Sequence, residues 1–356
     1  MKSIVFIMPG SGRKPIGGYK VVFEYANRIA ALGNEVTVQC SLGGYFKEKK
    51  ITDKIIMILK FPLSLIYYSI FGVNWFKLQN VNLKYVWNHS ERNLKQFDCI
   101  IATSITTAYR LNSFELKGKN KIYFIQAFED WVMSSEDVYK SFKFPFKKIV
   151  IADWLKDKVE SIGEHVTVIP NGFDFDYFQL TKPLTERNKY SIAMMYHTQP
   201  LKGTYDALEA LKIVREKIPD LHVTLFSSQK LKENIPSWCT FVQSPNKELH
   251  NKIYNEASIF VSASHSEGFG LTVGEAMICG CAIVCTDNGG FRMMVKDGVT
   301  GLLSPVTEID RLAHNIIELI ENQSLRIRLA QQGNDFIHSF DWNSSVQKFL
   351  SVINND

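Results

Sequence analysis

The sequence predicts an α/β chain organised as two doubly wound parallel-sheet domains. Three observations lead there. Short apolar runs alternate with longer segments carrying apolar residues at helical spacing, as strands joined by crossover helices do. The 356 residues exceed what one ordinary hydrophobic core serves. A turn cluster, Ile169-Pro170-Asn171-Gly172, interrupts the alternation midway, and the alternation then begins again.

In the first half, 4–8 reads as a strand and 9–18 as a loop rich in glycine and basic residues. A helix over 19–32 (YKVVFEYANRIAAL) stops at Gly33. Further strands are expected at 35–40, 99–102, 122–125, 149–151 and 166–169. In the second half, strands are expected at 191–195, 222–226, 240–242, 258–262, 282–285 and 301–303. Helices are expected at 204–217, 247–256, 272–279, 309–321, 324–337 and 342–353. Ligands of such sheets sit at the carboxyl ends of the strands. The six cysteines show no metal-binding spacing, and Cys279, Cys281 and Cys285 read as part of one buried strand run. Reduced thiols in a cytoplasmic protein follow.

Hydrophobic residues make up 46% and charged residues 22%, a globular composition. Charge is uneven: 1–170 carry 24 Lys and Arg against 15 Asp and Glu, whereas 171–356 carry net −4. A basic first half fits an anionic surface or substrate. No helix-turn-helix, zinc-finger or RNP pattern is present, so nucleic acid is not an expected partner. The stretch 55–76 (IIMILKFPLSLIYYSIFGVNWF) holds Lys60 as its only charge and has basic flanks at Lys47, Lys49, Lys50, Lys54, Lys77 and Lys84. Its length is borderline for a membrane span. Its proline, aromatics and flanks suit peripheral contact of 47–84 with an anionic membrane, at the inner face of the cytoplasmic membrane. Buried helix and strand of the first domain is the other reading.

The most informative motif is Glu267-Gly268-Phe269-Gly270-Leu271-Thr272-Val273-Gly274-Glu275, after the apolar run 257–263 and before Gly280. Its glycines allow close backbone approach, and the amides of a first helical turn favour an anion such as a diphosphate. A carboxylate on either side accepts hydrogen bonds from sugar hydroxyls. Thr272 and Glu275 also fit a capping box, and Glu267 also fits a solvated surface charge. A second motif runs from Tyr196-His197 to Lys202-Gly203, between a strand and a helix. A third is the loop Gly10 to Gly18, ending in Gly17-Gly18, without the full dinucleotide spacing. Gln126-Ala127-Phe128-Glu129-Asp130-Trp131 follows a strand of the first domain, and packing is the favoured reading for Trp131. Asn288-Gly289-Gly290 and Asp297-Gly298 mark later turns.

Together these motifs resemble the retaining nucleotide-sugar glycosyltransferases of family 4, bacterial surface-polysaccharide enzymes among them, over nearly the whole chain. The resemblance implies the GT-B arrangement, two Rossmann-like domains facing across a cleft. Residues 1–170 would be the acceptor side and 171–339 the donor-binding domain, with the C-terminal helix 340–356 packing back on the first. Gly17, Gly18, Lys202, Gly268, Phe269, Gly270, Leu271, Thr272 and Glu275 would bind the donor, Glu275 holding the nucleotide ribose. Lys202, Glu267, His197, Glu129 and Asp130 would form the catalytic group. Glu267 would hold donor-sugar hydroxyls, and Glu129 or Asp130 would orient the acceptor hydroxyl. Relatives have Arg where His197 stands, Pro-Glu where Arg292-Met293 stands, and a first-domain His that is missing here. No acidic pair at a strand end suits a divalent ion, Asp174-x-Asp176 being a weak match. The diphosphate charge would fall to Lys202, the amides after Gly268, and Arg13 or Lys14, with no metal or other cofactor. The implied partners are a nucleotide sugar and a saccharide or lipid-linked saccharide acceptor in bacterial glycan synthesis. A sugar-nucleotide epimerase or hydrolase on the same fold, and a non-catalytic nucleotide-sugar-binding protein, are the alternatives.

Overall fold

The computed structural model describes residues 1–13, 15–43, 51–232 and 234–355, with the backbone alone at 51–58 and 69. It divides into two compact units. One comprises Met1–Pro170 with Asn343–Asp356, and the other Asn171–Trp342.

The first unit runs β1 (Ser3–Met8), α1 (Gly17–Ala31), β2 (Glu35–Ser41), α2 (Ile51–Phe71), β3 (Val81–Val86), α3 (Glu91–Leu94), β4 (Cys99–Ala102), α4 (Ile105–Asn112), β5 (Asn120–Ile125), α5 (Ser135–Phe142), β6 (Lys147–Val150), α6 (Asp153–Glu160) and β7 (Thr167–Val168). Its seven strands lie in the order β3-β2-β1-β4-β5-β6-β7, and every pairing is parallel. Strands buried on both faces need continuous apolar runs, and Ile4 to Met8 and Cys99 to Ala102 are fully buried. After α1, Gly33 takes φ 85° and donates its amide to Ala30, the left-handed ending expected there.

The second unit runs β8 (Ser191–Met195), α7 (Thr204–Lys217), β9 (His222–Ser227), β10 (Cys239–Gln243), α8 (Lys247–Glu256), β11 (Ile259–Ser262), α9 (Leu271–Ile278), β12 (Ala282–Thr286), β13 (Leu302–Ser304), α10 (Ile309–Glu321) and α11 (Gln323–Ile337). Its parallel sheet has the order β10-β9-β8-β11-β12-β13. In each sheet the order reverses once, between β1 and β4 and between β8 and β11. Loops at the carboxyl ends of those strand pairs form the crevice where such sheets bind ligands.

The last helix, α12 (Trp342–Asn354), returns to the first unit. Phe349 is fully buried and lies 4.5 Å from the ring of Tyr25, 5.2 Å from Phe124 and 6.1 Å from Phe6. Lys2 Nζ donates to the Ile353 carbonyl at 3.0 Å, and Ser345 Oγ to that of Pro170 at 2.7 Å.

Four expectations need correction. Strand β3 was not expected, because Asn82 and Lys84 break its apolar run. As an edge strand it exposes those two side chains and keeps Val81, Leu83 and Tyr85 partly covered. The stretch 55–76 is not a helix and a strand: α2 is one helix through Phe71 with Pro62 inside it. Among the described residues no helix is long and apolar enough to cross a membrane. Gly17 and Gly18 are the first residues of α1 and do not lie in the loop before it. Only Cys285 of the cysteine run is in a strand, Cys279 ending α9 and Cys281 preceding β12, although all six thiols are buried and free.

Because Phe349 fills a pocket of aromatic rings, Phe349→Ala should cost about 3–5 kcal/mol in urea unfolding. A loss below about 1 kcal/mol, in the range of an ordinary surface change, would mean α12 is not part of this core.

Candidate active site

The site of the second unit forms where β8 and β11 end side by side. After β8 the chain turns through Tyr196 and His197, makes a single 3-10 turn at Pro200–Lys202, and enters α7 at Gly203. Gly203 has φ 58°, and a Cβ there would sit 1.9 Å from the Ala263 carbonyl oxygen. Any other residue would push the two loops apart. The His265 amide donates to Leu201 O at 2.9 Å, closing the loops further.

This contact brings Lys202 and Glu267 together. Lys202 Nζ lies 2.8 Å from Glu267 Oε1, and Ser264 Oγ donates to the same oxygen at 2.8 Å. The pair is mostly buried, with the two side chains 25% and 13% exposed. Glu267 is therefore not a solvated surface charge. Behind it, a Cβ on Gly290 would lie 2.5 Å from Glu267 O, so the turn Asn288-Gly289-Gly290 packs directly on its backbone. Asn288 Nδ2 donates to Ser264 O at 2.8 Å, tying that turn to the loop after β11. Arg292 faces outward and pairs with Asp287 at 2.7 Å. Asp297 accepts from the Leu303 amide, a structural turn contact.

His197 sits beside the ion pair. The Gln199 amide donates to its Nδ1 at 3.0 Å, and its Nε2 lies 3.1 Å from the side-chain nitrogen of Gln229. Burial, with help from the Lys202 charge and against that of Glu267, holds its pKa below the usual histidine value. At neutral pH the ring is uncharged. Both ring nitrogens are engaged within this unit, and Nε2 faces Gln229.

Beyond Glu267 the chain crosses Gly268 and Phe269 to Gly270, which takes φ 95° and precedes α9. No side chain caps this helix start. The capping box of Thr272 and Glu275 does not form, since with Gly270 at the cap they are the second and fifth helical residues. Phe269 is buried and stacks on Phe173 at 6.0 Å. A Cβ on Gly274 would lie 2.1 Å from the Phe173 ring, so this glycine lets α9 press against that ring. Glu275 is 6% exposed and accepts from the Tyr254 hydroxyl at 3.4 Å. A buried carboxylate is costly unless it has partners, and the Tyr254 hydroxyl is one of them.

The remaining sequence candidates lie in the first unit. Glu129, after β5, accepts a short hydrogen bond from the Ile105 amide at the start of α4. Burial pushes its carboxyl pKa up to about 7, opposed by that hydrogen bond. Its charge also acts on Tyr19, whose hydroxyl burial raises to about 12. A Cβ on Gly18 would meet Gln126 Oε1 at 3.5 Å, an ordinary contact, so Gly18 is not sterically required. Asp130 is exposed. Trp131 is 55% exposed, so part of its ring packs and part faces solvent. Arg13 lies over the rings of Tyr67 and Tyr68, and Lys14 falls outside the described residues. Asp174 Oδ1 accepts from the amides of Asp176 and Tyr177, a turn contact that explains the Asp-x-Asp spelling.

Sequence reading missed three contributors. Ser264 had a visible signal, a small polar residue three before Glu267. Gln229 had none, since only the fold carries the loop after β9 to His197. The third is the pair His265 Nε2 and Asp206 Oδ2, 2.6 Å apart, which links the loop after β11 to the start of α7.

Residues 178–336 match the model of the family described as Glycosyl transferases group 1. Over 220 residues the chain is 26% identical to phosphatidyl-myo-inositol mannosyltransferase of Mycobacterium tuberculosis, covering 58% of each. It is 23% identical over 265 residues to poly(glycerol-phosphate) alpha-glucosyltransferase of Bacillus subtilis, covering 69% of this chain and 36% of that one. The alignments thus span little more than half of the first of these relatives and less of the second. Among solved structures, Anabaena Alr3699/HepE in complex with UDP and glucose superposes with a TM-score of 0.76 over 100% of both chains at 16% identity, a likeness of fold. Residues 178–336, within the second unit, thus match the group 1 glycosyl transferases, in a chain that shares the two-sheet fold of Anabaena Alr3699/HepE.

Proposed function

We propose that this protein is a retaining glycosyltransferase that moves a sugar from a nucleoside-diphosphate sugar to a saccharide or lipid-linked saccharide acceptor in bacterial glycan synthesis. The observation that carries the reading is the meeting of Lys202 and Glu267 beside the uncapped start of α9. An ammonium and a helix N-terminus there suit a diphosphate, and a carboxylate at the same point suits sugar hydroxyls. Glu275, buried one turn further on, would take the nucleotide ribose.

The charge released with the leaving diphosphate is met by Lys202 and the helix amides, without a divalent ion. Neutral His197 adds hydrogen bonding and no charge. Glu267 is neutralised by Lys202 and hydrogen-bonded by Ser264, which makes it a poor covalent nucleophile. The acceptor hydroxyl would therefore attack the anomeric carbon from the face the diphosphate leaves. A leaving phosphate oxygen takes the hydroxyl proton as the glycosidic bond to that oxygen breaks, and configuration is retained. In the first unit, Glu129 would orient the acceptor hydroxyl.

Membrane contact is part of the same reading. One face of α2 exposes Leu59, Leu63, Ile66 and Ile70, spaced as a helical stripe, with Leu63 at 71%. Its other face packs Phe61 against Trp87 and Tyr68 against Tyr85. Residues 47–84 hold seven lysines against Glu48 and Asp53, a charge that complements an anionic bilayer. The names of the two curated relatives join a sugar to phosphatidyl-myo-inositol and to poly(glycerol-phosphate), so phosphate-bearing acceptors occur among them.

Thermal unfolding with nucleoside diphosphates and nucleotide sugars tests the central claim. A ligand at 100 times its dissociation constant stabilises by about 2.7 kcal/mol. Stabilisation by one base family, weakened at least about tenfold in affinity by Glu275→Ala, is expected; no stabilisation by any of them sinks the proposal. In flotation with phosphatidylglycerol vesicles, the protein should rise with the lipid and Leu63→Glu/Ile66→Glu should not. Equal flotation of both would refute the α2 contact. Glu129 has a folded pKa above its unfolded one, so its carboxylate opposes folding once ionised. Stability should fall as pH rises from about 4.5 to about 7. Glu129→Gln should remove that slope in denaturant titrations at each pH, and an unchanged slope would place its origin elsewhere.

A further inference from the structure

A cavity of about 340 Å³ opens at the amino ends of β1, β2 and β3, on the sheet face turned away from α2. The crevice forms at the other end of these strands, about 17 Å away, since each of five strand steps rises about 3.3 Å. Strands of a doubly wound sheet are continuous apolar runs because helices cover both faces. β1 and β4 follow that rule, whereas β2 and β3 alternate. Val36, Val38 and Cys40 point one way and are buried, while Glu35, Thr37 and Gln39 point the other. In β3, Val81, Leu83 and Tyr85 share the covered face, and Asn82 and Lys84 are exposed on the other. The register sets Thr37 beside Asn82 and Gln39 beside Lys84. The crossover from β3 to β4 carries a single four-residue helix, α3, whose Asn93 is 3.3 Å from Gln39. Nearer the amino ends, Glu35 and Asn82 stay exposed.

The walls are polar and balanced in charge. Thr37 and Phe97, 5% and 6% exposed, lie at the floor. Asn80, Asn82 and Gln96 bring amides, and Glu35 and Lys84 bring one charge of each sign. The side chains of Glu35, Thr37, Asn80, Asn82 and Lys84 have no hydrogen-bond or ion-pair partner among the described residues. Asn80 enters β3 with φ 56°, the left-handed region that asparagine visits more readily than most residues bearing a Cβ. A phosphate here would meet Glu35 as well as Lys84, and an apolar ligand would leave all these side chains unpaired. A peptide strand would pair with the backbone edge of β3, not with side chains on the sheet face. Sugar hydroxyls both donate and accept, so they suit amides, a carboxylate, a hydroxyl and an ammonium together. Val36 and Phe97 supply apolar floor for the C–H groups of a ring. The volume lies at the lower end of the range for small-molecule sites, about 300–1,000 Å³, which suits one or two sugar units.

We propose that this cavity is a second saccharide site, remote from the crevice, which holds a neutral, phosphate-free stretch of a glycan chain through Thr37, Asn80, Asn82 and Lys84. The proposal rests on the glycosyltransferase reading for its biological meaning. A glycan held at the amino ends of the strands has its other end confined near the crevice, which raises the local concentration there without any new contact at the reacting sugar.

An array of immobilised neutral and phosphorylated oligosaccharides, probed with the whole protein in the absence of donor, tests it. Retention of at least one neutral oligosaccharide is expected. Asn82→Ala/Lys84→Ala should weaken that binding at least about tenfold, and Asn82→Trp, which fills the cavity, should abolish it. Both positions are exposed, so urea unfolding of the variants should match the wild type. Glu129→Gln, at the opposite end of the sheet, should bind the array as the wild type does. The proposal is overturned if no neutral oligosaccharide is retained, if only phosphorylated ones are, if either Asn82 variant binds normally, or if Glu129→Gln weakens binding, which would put the glycan in the crevice. Nucleoside-diphosphate stabilisation should be the same in the Asn82 variants and the wild type. Its absence from the wild type is a separate result that removes the glycosyltransferase reading and leaves the cavity as a saccharide site.

Discussion

The second unit depends on one close approach, the Gly203 backbone against the Ala263 carbonyl. Two loops from strands far apart in sequence but adjacent at the sheet reversal can touch only because Gly203 has no Cβ and tolerates positive φ. Everything chemical at the site follows from that contact. It sets the ammonium of Lys202 on the carboxylate of Glu267, with Ser264 bridging both and Asn288 holding Ser264 from behind. Gly290 repeats the device on the opposite side, letting a third loop press on the backbone of Glu267.

Pairing in a partly buried place changes what each charge can do. A lone buried ammonium or carboxylate is costly, and the two partners here offset that cost for each other. His197 completes the balance by staying neutral. A guanidinium at that position would carry a permanent charge and a bidentate fork, neither of which imidazole supplies.

The first unit solves a different problem. Its helix α2 is apolar on nearly all sides, yet only one side meets the sheet, through Phe61 and Tyr68. The exposed remainder, Leu59, Leu63, Ile66 and Ile70, is an apolar stripe at helical spacing. The return of α12 through Phe349 adds an aromatic contact to Tyr25 and Phe124 in this unit's core.

Much of this was legible before any coordinates. The parallel α/β class, most strands and nearly every helix of the second unit follow from hydrophobic period and from glycine stops, because those patterns record which faces must leave water. The turns that carry Lys202, Glu267 and Glu275 were legible too, as glycine-rich links between a strand and a helix. Edge strand β3 was not, because a strand covered on one face loses the continuous apolar run that marks a buried one. Nor could periodicity tell that α2 is a single half-exposed helix, for an apolar run reads the same whether protein or solvent lies beyond it. That Glu267 is paired, that Thr272 and Glu275 make no capping box, that Gln229 reaches His197 and that a cavity opens at the amino ends of β1 to β3 were decided by tertiary structure alone. Each depends on a distance between segments that local sequence does not encode.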